Sequence, residues 1–502
     1  MKHLWVLLCA LSCLLGHAGP AAAKSWHVAE TEKFRVYSDG SKNELRKLAQ
    51  TMEDFDAFLR AFTGLTADPP PDRFDLYLVR SADELRRYTP LPPSIDGFYQ
   101  ATPTGTAAFS ARSKTMSGDP AKLWYSTSQQ ILFHEYAHHF MERYFPYPYP
   151  RWYSEGFAEY VSTVQFKRKK IIVGGFAKGR VGALLYGAWL PMDVLLSPQT
   201  MPLGERETAA FYAQSWLLAH YMLSSPERLK KLQDFLSKFS TQDSVAEDFR
   251  DSFAMPIGQL GRELREYLDG TSETMKVYEE ERPKRPDIAV RITKLPPSAS
   301  DFLTMSAKLD LGIEPPFRAT LLADIDQALV KYPKDALAQR TWAHANILYG
   351  DRAAGRSRLE ALEKAYPDDA KICFYLGMSY ILDGASTAQL DAEMQKKRQA
   401  ARGYFADAFR MNPNHYPTLY YYFRSVPKPA TAQQEAVLEK AEFLAPQVGQ
   451  IRYDLATMWA ARPDSSHRTA AKRLLQILAN DPHEVMIASM ARARLEALLS
   501  AQ

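Results

Sequence analysis

The first part of the chain alternates between strand-like and helix-like spacing of its hydrophobic residues. FRVYSD at 34–39 places apolar side chains at alternate positions, and FDLYLV at 74–79 is again strand-like. Between them, ELRKLAQTMEDFDAFLRAFTG at 44–64 repeats apolar residues every three to four positions, which predicts a helix. GFYQATPTGTAAFSAR at 97–112 predicts a further strand pair interrupted by a proline-glycine turn. Together these elements predict a small mixed sheet with helices packed on it.

From about Ser126 the pattern becomes mainly helical. The apolar spacing predicts a helix over 208–223, and one strand pair near 163–175 interrupts the helices. KRKK at 167–170, the densest basic run, is predicted to be the solvated turn of that pair. Residues 24–275 are therefore predicted to form an α+β domain, with a mixed sheet followed by a helical part.

A segment dense in proline and charge, VYEEERPKRPDIAVRITKLPPSAS, follows this domain. Such composition is typical of a boundary between domains. We expect a linker and connecting segment over 276–319.

Beyond residue 320 one local pattern recurs: a helix end, a proline and a polar turn, as in KYPKD, AYPDD, MNPNH, LAPQV and NDPHE. The prolines are 34, 46, 33 and 36 residues apart, and the longest spacing is explained if DGASTAQLDAEMQKKR is an insertion at a turn. Small Ala343 and Gly350 fall where two short helices must approach, and Gly377, Tyr380, Ala401, Ala408 and Ala441 fall at matching places in the following units. Each unit predicts a helical hairpin too small to bury its own apolar face, so units must stack.

This pattern resembles the tetratricopeptide family over 320–502, with degenerate consensus positions. The resemblance implies an all-α solenoid, which we expect to recruit or position a protein partner. A generic helical bundle is the alternative.

Composition adds limits to this picture. The chain has 502 residues, 46% hydrophobic and 24% charged, which is typical of a globular protein with more than one domain. Its 62 basic and 58 acidic residues leave a formal net charge of +4. Spread over such a length, that charge gives no electrostatic reason to expect a nucleic-acid partner.

The N-terminus, MKHLWVLLCALSCLLGHAGPAAAKSW, has a basic start, an apolar run and three alanines before a lysine. This layout predicts a secretory signal peptide over 1–23. The run is shorter than the ~20 residues that span a bilayer, so we expect an exported, periplasmic or secreted chain with no transmembrane segment. A lipid anchor at Cys13 is disfavoured because the residues before it fit the required cleavage site poorly. Cys373, then the only cysteine of the mature chain, is expected to be a buried small hydrophobe.

ILFHEYAHHF at 131–140 holds three histidines and a glutamate in an apolar frame. On a helix, His134 and His138 lie on one face, at the separation that lets two imidazoles share one tetrahedral ion. Glu135 can reach a water on that metal without binding the metal itself. His139 points about 100° away from His138 and is expected to be a bystander. The alternative is an amphipathic helix whose histidines are satisfied by hydrogen bonds.

WYSEGFAEY at 152–160 offers two more carboxylates, Glu155 and Glu159, again four residues apart. A catalytic zinc site needs three protein ligands and one open position, and Glu155 supplies the missing oxygen. Glu159, one turn later, is placed to accept the outer N–H of a ligand histidine and fix its tautomer. For Glu159 a solvated helix charge is the alternative.

HEYAH and SEGFAEY resemble the two motifs of the gluzincin clan, the peptidase MA-like metalloproteases that include thermolysin and the zinc aminopeptidases. The resemblance implies a zincin-like domain over 24–275 that binds one zinc ion through His134, His138 and Glu155, with Glu135 as general base. Sixteen residues separate His138 from Glu155, slightly fewer than in the better-known branches, so a tighter connecting loop is expected.

The zinc aminopeptidases of this clan carry a GxMEN strand whose glutamate binds the substrate's free amine, and no such string occurs in this chain. GFYQATPTG occupies the comparable upstream region. We therefore expect an endopeptidase with an edge strand that pairs with an extended peptide. By analogy within the clan, Tyr212 or His220 is the candidate oxyanion donor, with ordinary helix packing beside Trp216 as the alternative.

The leading interpretation is an exported zinc peptidase whose repeats recruit a protein partner or substrate. The alternative is an exported repeat-based binding scaffold with a structural or inactive zinc site. A cell-wall amidase or another zinc hydrolase would use the same metal chemistry. Glu135 favours chemistry over a structural site, because a structural site does not need a carboxylate at that position.

Overall fold

The computed structural model describes residues 25–68, 71–92, 95–112, 127–167, 170–175, 178–196, 203–239, 245–270, 276–279, 288–383, 392–427, 429–481 and 484–500. The predicted signal peptide at 1–23, with Cys13, lies outside the described residues.

The described residues contain nine strands: β1 (His27–Glu30), β2 (Phe34–Ser38), β3 (Phe74–Val79), β4 (Gly97–Thr102), β5 (Gly105–Ala111), β6 (Gln165–Phe166), β7 (Lys170–Val173), β8 (Lys276–Glu279) and β9 (Arg291–Lys294). Six of them form a sheet in the order β4-β5-β3-β2-β1-β9. The pairs β2–β3 and β3–β5 are parallel, and the other three pairs are antiparallel. The predicted mixed sheet is therefore confirmed, with β4 at one edge.

In its described residues the N-terminal part also contains ten helices: α1 (Lys42–Thr63), α2 (Ala82–Arg86), α3 (Thr127–Tyr144), α4 (Arg151–Ser162), α5 (Lys178–Tyr186), α6 (Met192–Leu196), α7 (Glu205–Leu223), α8 (Pro226–Lys238), α9 (Val245–Phe253) and α10 (Ile257–Gly270). Helix α1 begins where the Ser41 hydroxyl accepts the backbone N–H of Glu44 at 3.1 Å. It ends at Gly64, whose φ of 70° lies in the left-handed region that glycine tolerates.

One face of the six-stranded sheet forms the main core with α1, α3, α4 and α7. The apolar stripe of α1 packs on Phe34 and Leu76, and Phe55 of α1 stacks on Phe133 of α3 at 4.0 Å between ring centroids. Tyr136 of α3 packs edge-on against Phe34 of β2. Helix α3 is thereby fixed on the sheet through the residues that flank its histidines.

A second, three-stranded antiparallel sheet has the order β6-β7-β8. Strands β6 and β7 form the predicted hairpin, closed by a 2.8 Å bond from the backbone N–H of Lys167 to the carbonyl of Lys170. Residues 168 and 169, between Lys167 and Lys170, lie outside the described part of the chain.

The segment 276–319 contains more structure than the expected linker. Strand β8 completes the small sheet, and β9 pairs with β1 at the edge of the large one. The alternation in VRITK allows this pairing, but its partner strand lies about 260 residues earlier, so local patterning alone did not reveal it.

The C-terminal part, residues 299–500, is all-α in the described residues, and we call it the repeat region. Its helices are α11 (Ala299–Leu311), α12 (Pro315–Leu329), α13 (Ala336–Tyr349), α14 (Arg352–Ala365), α15 (Ala370–Asp383), α16 (Ala392–Met411), α17 (Tyr416–Ser425), α18 (Ala432–Leu444), α19 (Gly449–Ala460), α20 (Ser465–Ala479) and α21 (Val485–Ser500). From α12 to α21 each helix packs on the next, as stacked hairpins require.

Most of the small residues predicted at helix crossings are buried there. Ala343, Ala401, Ala408 and Ala441 are all fully buried. Gly350 is different: it is exposed and ends α13, so the prediction that it lies at a crossing is wrong. Helices α13 and α14 approach at Gly355 instead, where an added Cβ would lie 2.7 Å from the carbonyl oxygen of Ala343. Cys373 is buried, as expected.

The repeat region packs against the other face of the large sheet and against its β4–β5 edge. Tyr77 and Phe109 of the sheet form a buried cluster with Ala307 and Leu311 of α11. Further along the repeat region, the hydroxyl of Tyr416 in α17 donates to the carbonyl of Thr102 at 2.8 Å. The two parts of the chain are therefore in contact through both α11 and α17. In the described ranges, none of the helices has the length and apolar character needed to cross a membrane.

Candidate metal centre

Three side chains from two helices converge on one point. Nε2 of His134 and Nε2 of His138 are 3.0 Å apart, and Oε2 of Glu155 lies 3.5 Å from the first and 3.3 Å from the second. A tetrahedral zinc ion with bonds of about 2.0–2.1 Å separates neighbouring ligand atoms by about 3.3 Å. The geometry and the nitrogen-nitrogen-oxygen donor set therefore fit such an ion, and within the described residues this is the group of ligating side chains that lies close enough to hold a metal.

The local fold explains this convergence. Helix α3 ends at Tyr144 and α4 begins at Arg151, so residues 145–150, FPYPYP, reverse the chain in a short turn. Because α3 and α4 then pack side by side, Glu155 faces the histidine pair. The tight connection expected from the spacing is present.

Close packing of α4 on α7 fixes the position of Glu155. Gly156 lies where α4 crosses α7, and a Cβ added at this position would overlap the backbone carbonyl of Ser215. The neighbouring side chains of α4 are buried, including Trp152, Phe157 and Ala158. The carboxylate therefore sits on a helix that has little freedom to shift.

Burial is uneven across the three predicted ligands. His138 and Glu155 are 3% and 2% exposed, whereas His134 keeps 15% of its side chain exposed. Solvent can therefore reach the centre from the His134 side. This is the arrangement that an open coordination position requires.

Glu159 lies one helical turn beyond Glu155, behind His134. Its Oε1 is 3.5 Å from Nδ1 of His134 and accepts a 2.6 Å hydrogen bond from Nη2 of Arg180. Burial by itself would raise the pKa of Glu159, but the charges of Arg180 and His134 outweigh it and lower the pKa below its usual range. The carboxylate is therefore ionised, as an acceptor for the outer nitrogen of His134 should be.

The pKa of His134 also depends on its surroundings. Burial lowers its pKa, but the hydrogen bond to Glu155 and the charges of Glu159 and Glu135 raise it to about 9. A cation at this point would replace the proton and meet the same three carboxylates. The negative charges around the site therefore favour a bound cation.

Glu135 occupies the helical position next to His134 and is half-buried. It is not one of the three converging side chains, yet its charge acts on His134. It is therefore beside the centre without belonging to the ligand set.

The two predicted oxyanion donors differ in their surroundings. The ring of Tyr212 lies 6.4 Å from that of His134, and the charge of Glu155, followed by burial, raises the pKa of the Tyr212 hydroxyl. The nitrogens of His220 lie 3.0 Å from the carbonyl oxygen of Gly174 and 2.7 Å from the Tyr267 hydroxyl. Tyr212 is thus a protonated donor beside the centre, whereas the ring nitrogens of His220 are engaged in packing contacts.

Arg180 is the site residue that sequence reasoning missed. It donates to Glu159, and its guanidinium lies 4.8 Å from the ring centroid of Tyr212, so it bridges two residues of the centre. An isolated arginine in KGRVG carries no motif or periodicity that could have identified it.

His139 lies on a different face of α3 from the ligand pair. Its ring stacks on Phe74 at 4.3 Å between centroids, and its Nδ1 is 3.2 Å from the Tyr99 hydroxyl. The structure places it away from the convergent group, in the position expected of a bystander.

Comparison with known proteins adds little. No family model matches the chain, and no curated protein matches it. Among solved structures, a thermophilic TPR protein of Thermus thermophilus is similar over 40% of this chain and 98% of its own length, with 18% identity and a TM-score of 0.32.

Proposed function

We propose that this chain is an exported zinc-dependent peptidase, most simply an endopeptidase. The observation that carries the proposal is the convergence of His134, His138 and Glu155 within 3.0–3.5 Å, beside the carboxylate of Glu135, which is not a member of that group. His134, His138 and Glu155 would hold one zinc ion. When bound, zinc supplies a Lewis acid that polarises a substrate carbonyl and lowers the pKa of a water molecule.

The chain's own residues perform the proton transfers. Glu135 accepts the proton of the attacking water and passes it to the departing amine. Tyr212 donates a hydrogen bond to the oxyanion that develops on the scissile carbonyl. Glu159, held by Arg180, keeps Nδ1 of His134 as a donor and so fixes the orientation of that ring.

An extended peptide is the substrate that the surrounding fold suits best. Strand β4 forms one edge of the large sheet. The repeat region contacts this edge at Thr102, and α3 contacts it at Gly97, where an added Cβ would overlap the side chain of Ile131, so a peptide would pair with residues 98–101 between these contacts. A peptide paired with such an edge is held by backbone hydrogen bonds, which do not require a free amine. This supports internal cleavage over aminopeptidase action.

We propose that the repeat region positions a protein partner or protein substrate. Its turns at Pro413 and Pro446 face the sheet of the same chain, through Tyr416 and Gln447. A partner would therefore bind the remaining surface of the repeats. The predicted signal peptide at 1–23 would direct the mature chain to the periplasm or the exterior.

The test compares residues 24–502 with the Glu135→Gln variant. We measure bound zinc by elemental analysis and cleavage of a broad peptide library by mass spectrometry. The wild type should cleave peptides, and the variant should keep zinc while losing about 10²- to 10⁴-fold in rate. Glu227→Gln, an exposed glutamate paired with Lys231, is the control and should not change the rate.

Zinc binding without cleavage of any peptide would instead support the alternative, a repeat-based scaffold with a structural or inactive metal site. Cleavage of cell-wall amide bonds but not of peptides would make the chain an amidase with the same residues. Cleavage that is unaffected by Glu135→Gln would contradict the assigned role of that carboxylate.

A further inference from the structure

A cavity of about 410 Å³ lies between the large sheet and the row of inter-repeat turns. The sheet contributes Arg35, Phe74 and Tyr77, and the repeat region contributes residues from its turns, including His415 and Tyr416. The third wall is α3, through His139 and Arg143, on a different side of that helix from the metal centre. Its volume is within the roughly 300–1,000 Å³ range of small-molecule sites.

The cavity is closed by direct contacts between the two parts of the chain. The Tyr416 hydroxyl donates to the carbonyl of Thr102, and Nη1 of Arg143 donates to the carbonyl of Leu444 at 2.7 Å. These bonds join residues about 300 positions apart, so the cavity exists only when the repeat region is docked. A ligand inside it would contact both parts.

Three acidic residues line the cavity. Asp75 and Asp310 are each paired with a cation, whereas Asp72 forms no ion pair within the described residues. Asp75 accepts two hydrogen bonds from Arg35, at 2.5 and 3.2 Å, and Asp310 pairs with Lys371 at 2.9 Å. These pairs leave no net charge.

Arg143 is different. In the described part of the chain its guanidinium donates through Nη1 to two neutral acceptors, the carbonyl of Leu444 and the side-chain oxygen of Gln447, and forms no ion pair. Burial lowers its pKa, which shows that the surroundings disfavour the cation. A half-buried cation without an ion-pair partner costs free energy, and an anion bound in the cavity would relieve that cost.

We infer that the cavity binds a small organic anion, a carboxylate on an apolar body, with Arg143 as its counter-charge. The walls suit such a body, because Phe74, Tyr77 and Leu337 line the cavity together with the arginine. Arginine binds a planar carboxylate through parallel N–H bonds, which gives it preference over other anions. This inference concerns a different side of α3 and does not depend on the proposed peptidase activity.

The neutral groups of the cavity agree with a single negative charge in the ligand. Burial lowers the pKa of His415 to about 4, so its imidazole is uncharged at neutral pH. The neutral His415 imidazole can contribute a hydrogen bond without adding charge. Among the described lining residues, Arg143 is therefore the cation that lacks an ion-pair partner, and it selects the ligand.

The experiment measures binding of phenylacetate and of its neutral analogue phenylacetamide to the full chain by ligand-observed NMR. Phenylacetate should bind about 10- to 100-fold more tightly, the difference expected of one charge-assisted hydrogen-bonded pair. Arg143→Gln should abolish this preference, and Arg143→Lys, which keeps the charge without the fork, should retain part of it. Circular dichroism melts establish that each variant is folded.

Two controls make the result decisive. Arg262→Gln removes an exposed arginine that donates to the carbonyl of Gly258, and it should leave the preference unchanged. Asp72 lines the cavity; burial raises its pKa, and the charges of Arg35 and Arg143 act against that rise. A charged Asp72 would compete with a ligand for Arg143, so Asp72→Asn should leave phenylacetate binding equal or tighter. Equal binding of the two compounds to the wild type, or a preference that survives Arg143→Gln, would overturn the inference. Binding that appears only in Asp72→Asn would identify Asp72 as an internal counter-charge and would also overturn it.

Discussion

The metal centre and the repeat region are both built on close helix pairs, yet they bury different chemistry. Where α4 crosses α7 at Gly156, the adjacent buried side chain is the carboxylate of Glu155. Where α15 crosses α16 at Gly377, the neighbours are Phe405 and Ala401, which carry no charge. Both crossings need a residue without a side chain, but only the first holds polar atoms in place.

This difference separates stability from function. Burying apolar area stabilises the repeat hairpins directly, at roughly 25 cal/mol per Å². Burying His138, Glu155 and Glu159 is unfavourable unless charge or a bound cation compensates. The polar centre is therefore retained in spite of its cost to folding, which is typical of a functional site.

The largest expected effect comes from the two crossings themselves. Gly156→Ala would press a methyl group against the Ser215 carbonyl, and Gly377→Ala would place one 2.5 Å from Cε1 of Phe405. Each should lower the free energy of unfolding by about 1–3 kcal/mol. Only Gly156→Ala should also weaken zinc binding, because it displaces the helix that carries Glu155. Urea denaturation and chelator competition measure the two quantities.

Gly403→Ala is the control for both. Gly403 is exposed in α16 and has no atom within 4 Å of an added Cβ, so the substitution should stabilise the chain by up to about 1 kcal/mol. If Gly377→Ala weakened zinc as much as Gly156→Ala, the two crossings would not differ in the way described.

The next effect tests the carboxylate behind His134. Glu159→Gln keeps the shape of the side chain but removes the charge that faces Nδ1 of His134 and Arg180. Zinc affinity should fall about 10- to 100-fold, the usual result of losing such a partner. Chelator competition at pH 7.5 measures it, and an affinity equal to that of the wild type would show that Glu159 is a structural partner of Arg180 alone.

A pH experiment examines the contact between the repeat region and the N-terminal part of the chain. Lys308 of α11 is buried against α2 and donates to the carbonyl of Leu85 at 2.7 Å, and burial lowers its pKa to about 8. In the unfolded chain the amine keeps its ordinary pKa of 10.5, so between pH 8 and 10.5 the unfolded state binds more protons. Stability should therefore rise with pH across this window.

Lys308→Met isolates that contribution. From pH 8 to 10 the wild type should gain about 2 kcal/mol relative to the variant, since each unit of pKa difference corresponds to about 1.4 kcal/mol. Denaturant titrations at several pH values measure the difference. A difference that is constant with pH would mean that the Lys308 amine is charged in the folded chain.

The smallest effect compares one helix cap from the N-terminal part of the chain with one from the repeat region. The Thr431 hydroxyl accepts the N–H of Gln434 at the start of α18, and the Ser41 hydroxyl caps α1 in the same way. Replacing either residue by alanine should cost about 1 kcal/mol. If the two regions unfold together, both substitutions shift the same thermal transition. Two transitions, each moved by one substitution, would show that the regions unfold separately.

Local patterns predicted much of the molecule, because they depend on neighbours in sequence. The histidine pair on α3 and the glutamate pair on α4 follow from four-residue spacing, and the hairpins follow from the recurrent proline turns. Arg180 was missed because a single arginine has no period. Strand β9 was missed because it pairs with a strand far away in sequence.

The docking of the repeat region on the large sheet was the largest feature that the sequence did not predict. It depends on contacts such as Tyr416 with Thr102, which are 314 residues apart and involve common residue types. Gly350 shows the same limit on a smaller scale, since a glycine seven residues after Ala343 suits either a crossing or a helix end. Tertiary packing decides between a crossing and a helix end, and the local spacing of residues does not reveal that packing.

The most direct test of the central claim is a zinc titration of residues 24–502 beside the Glu155→Ala and His138→Ala variants. Elemental analysis gives the stoichiometry, and competition with a fluorescent chelator gives the affinity. We predict one zinc ion per wild-type chain, and for both variants a loss of affinity larger than the about 10- to 100-fold expected of Glu159→Gln. A wild-type chain that binds no zinc, or variants that bind it as tightly as the wild type, would contradict the account.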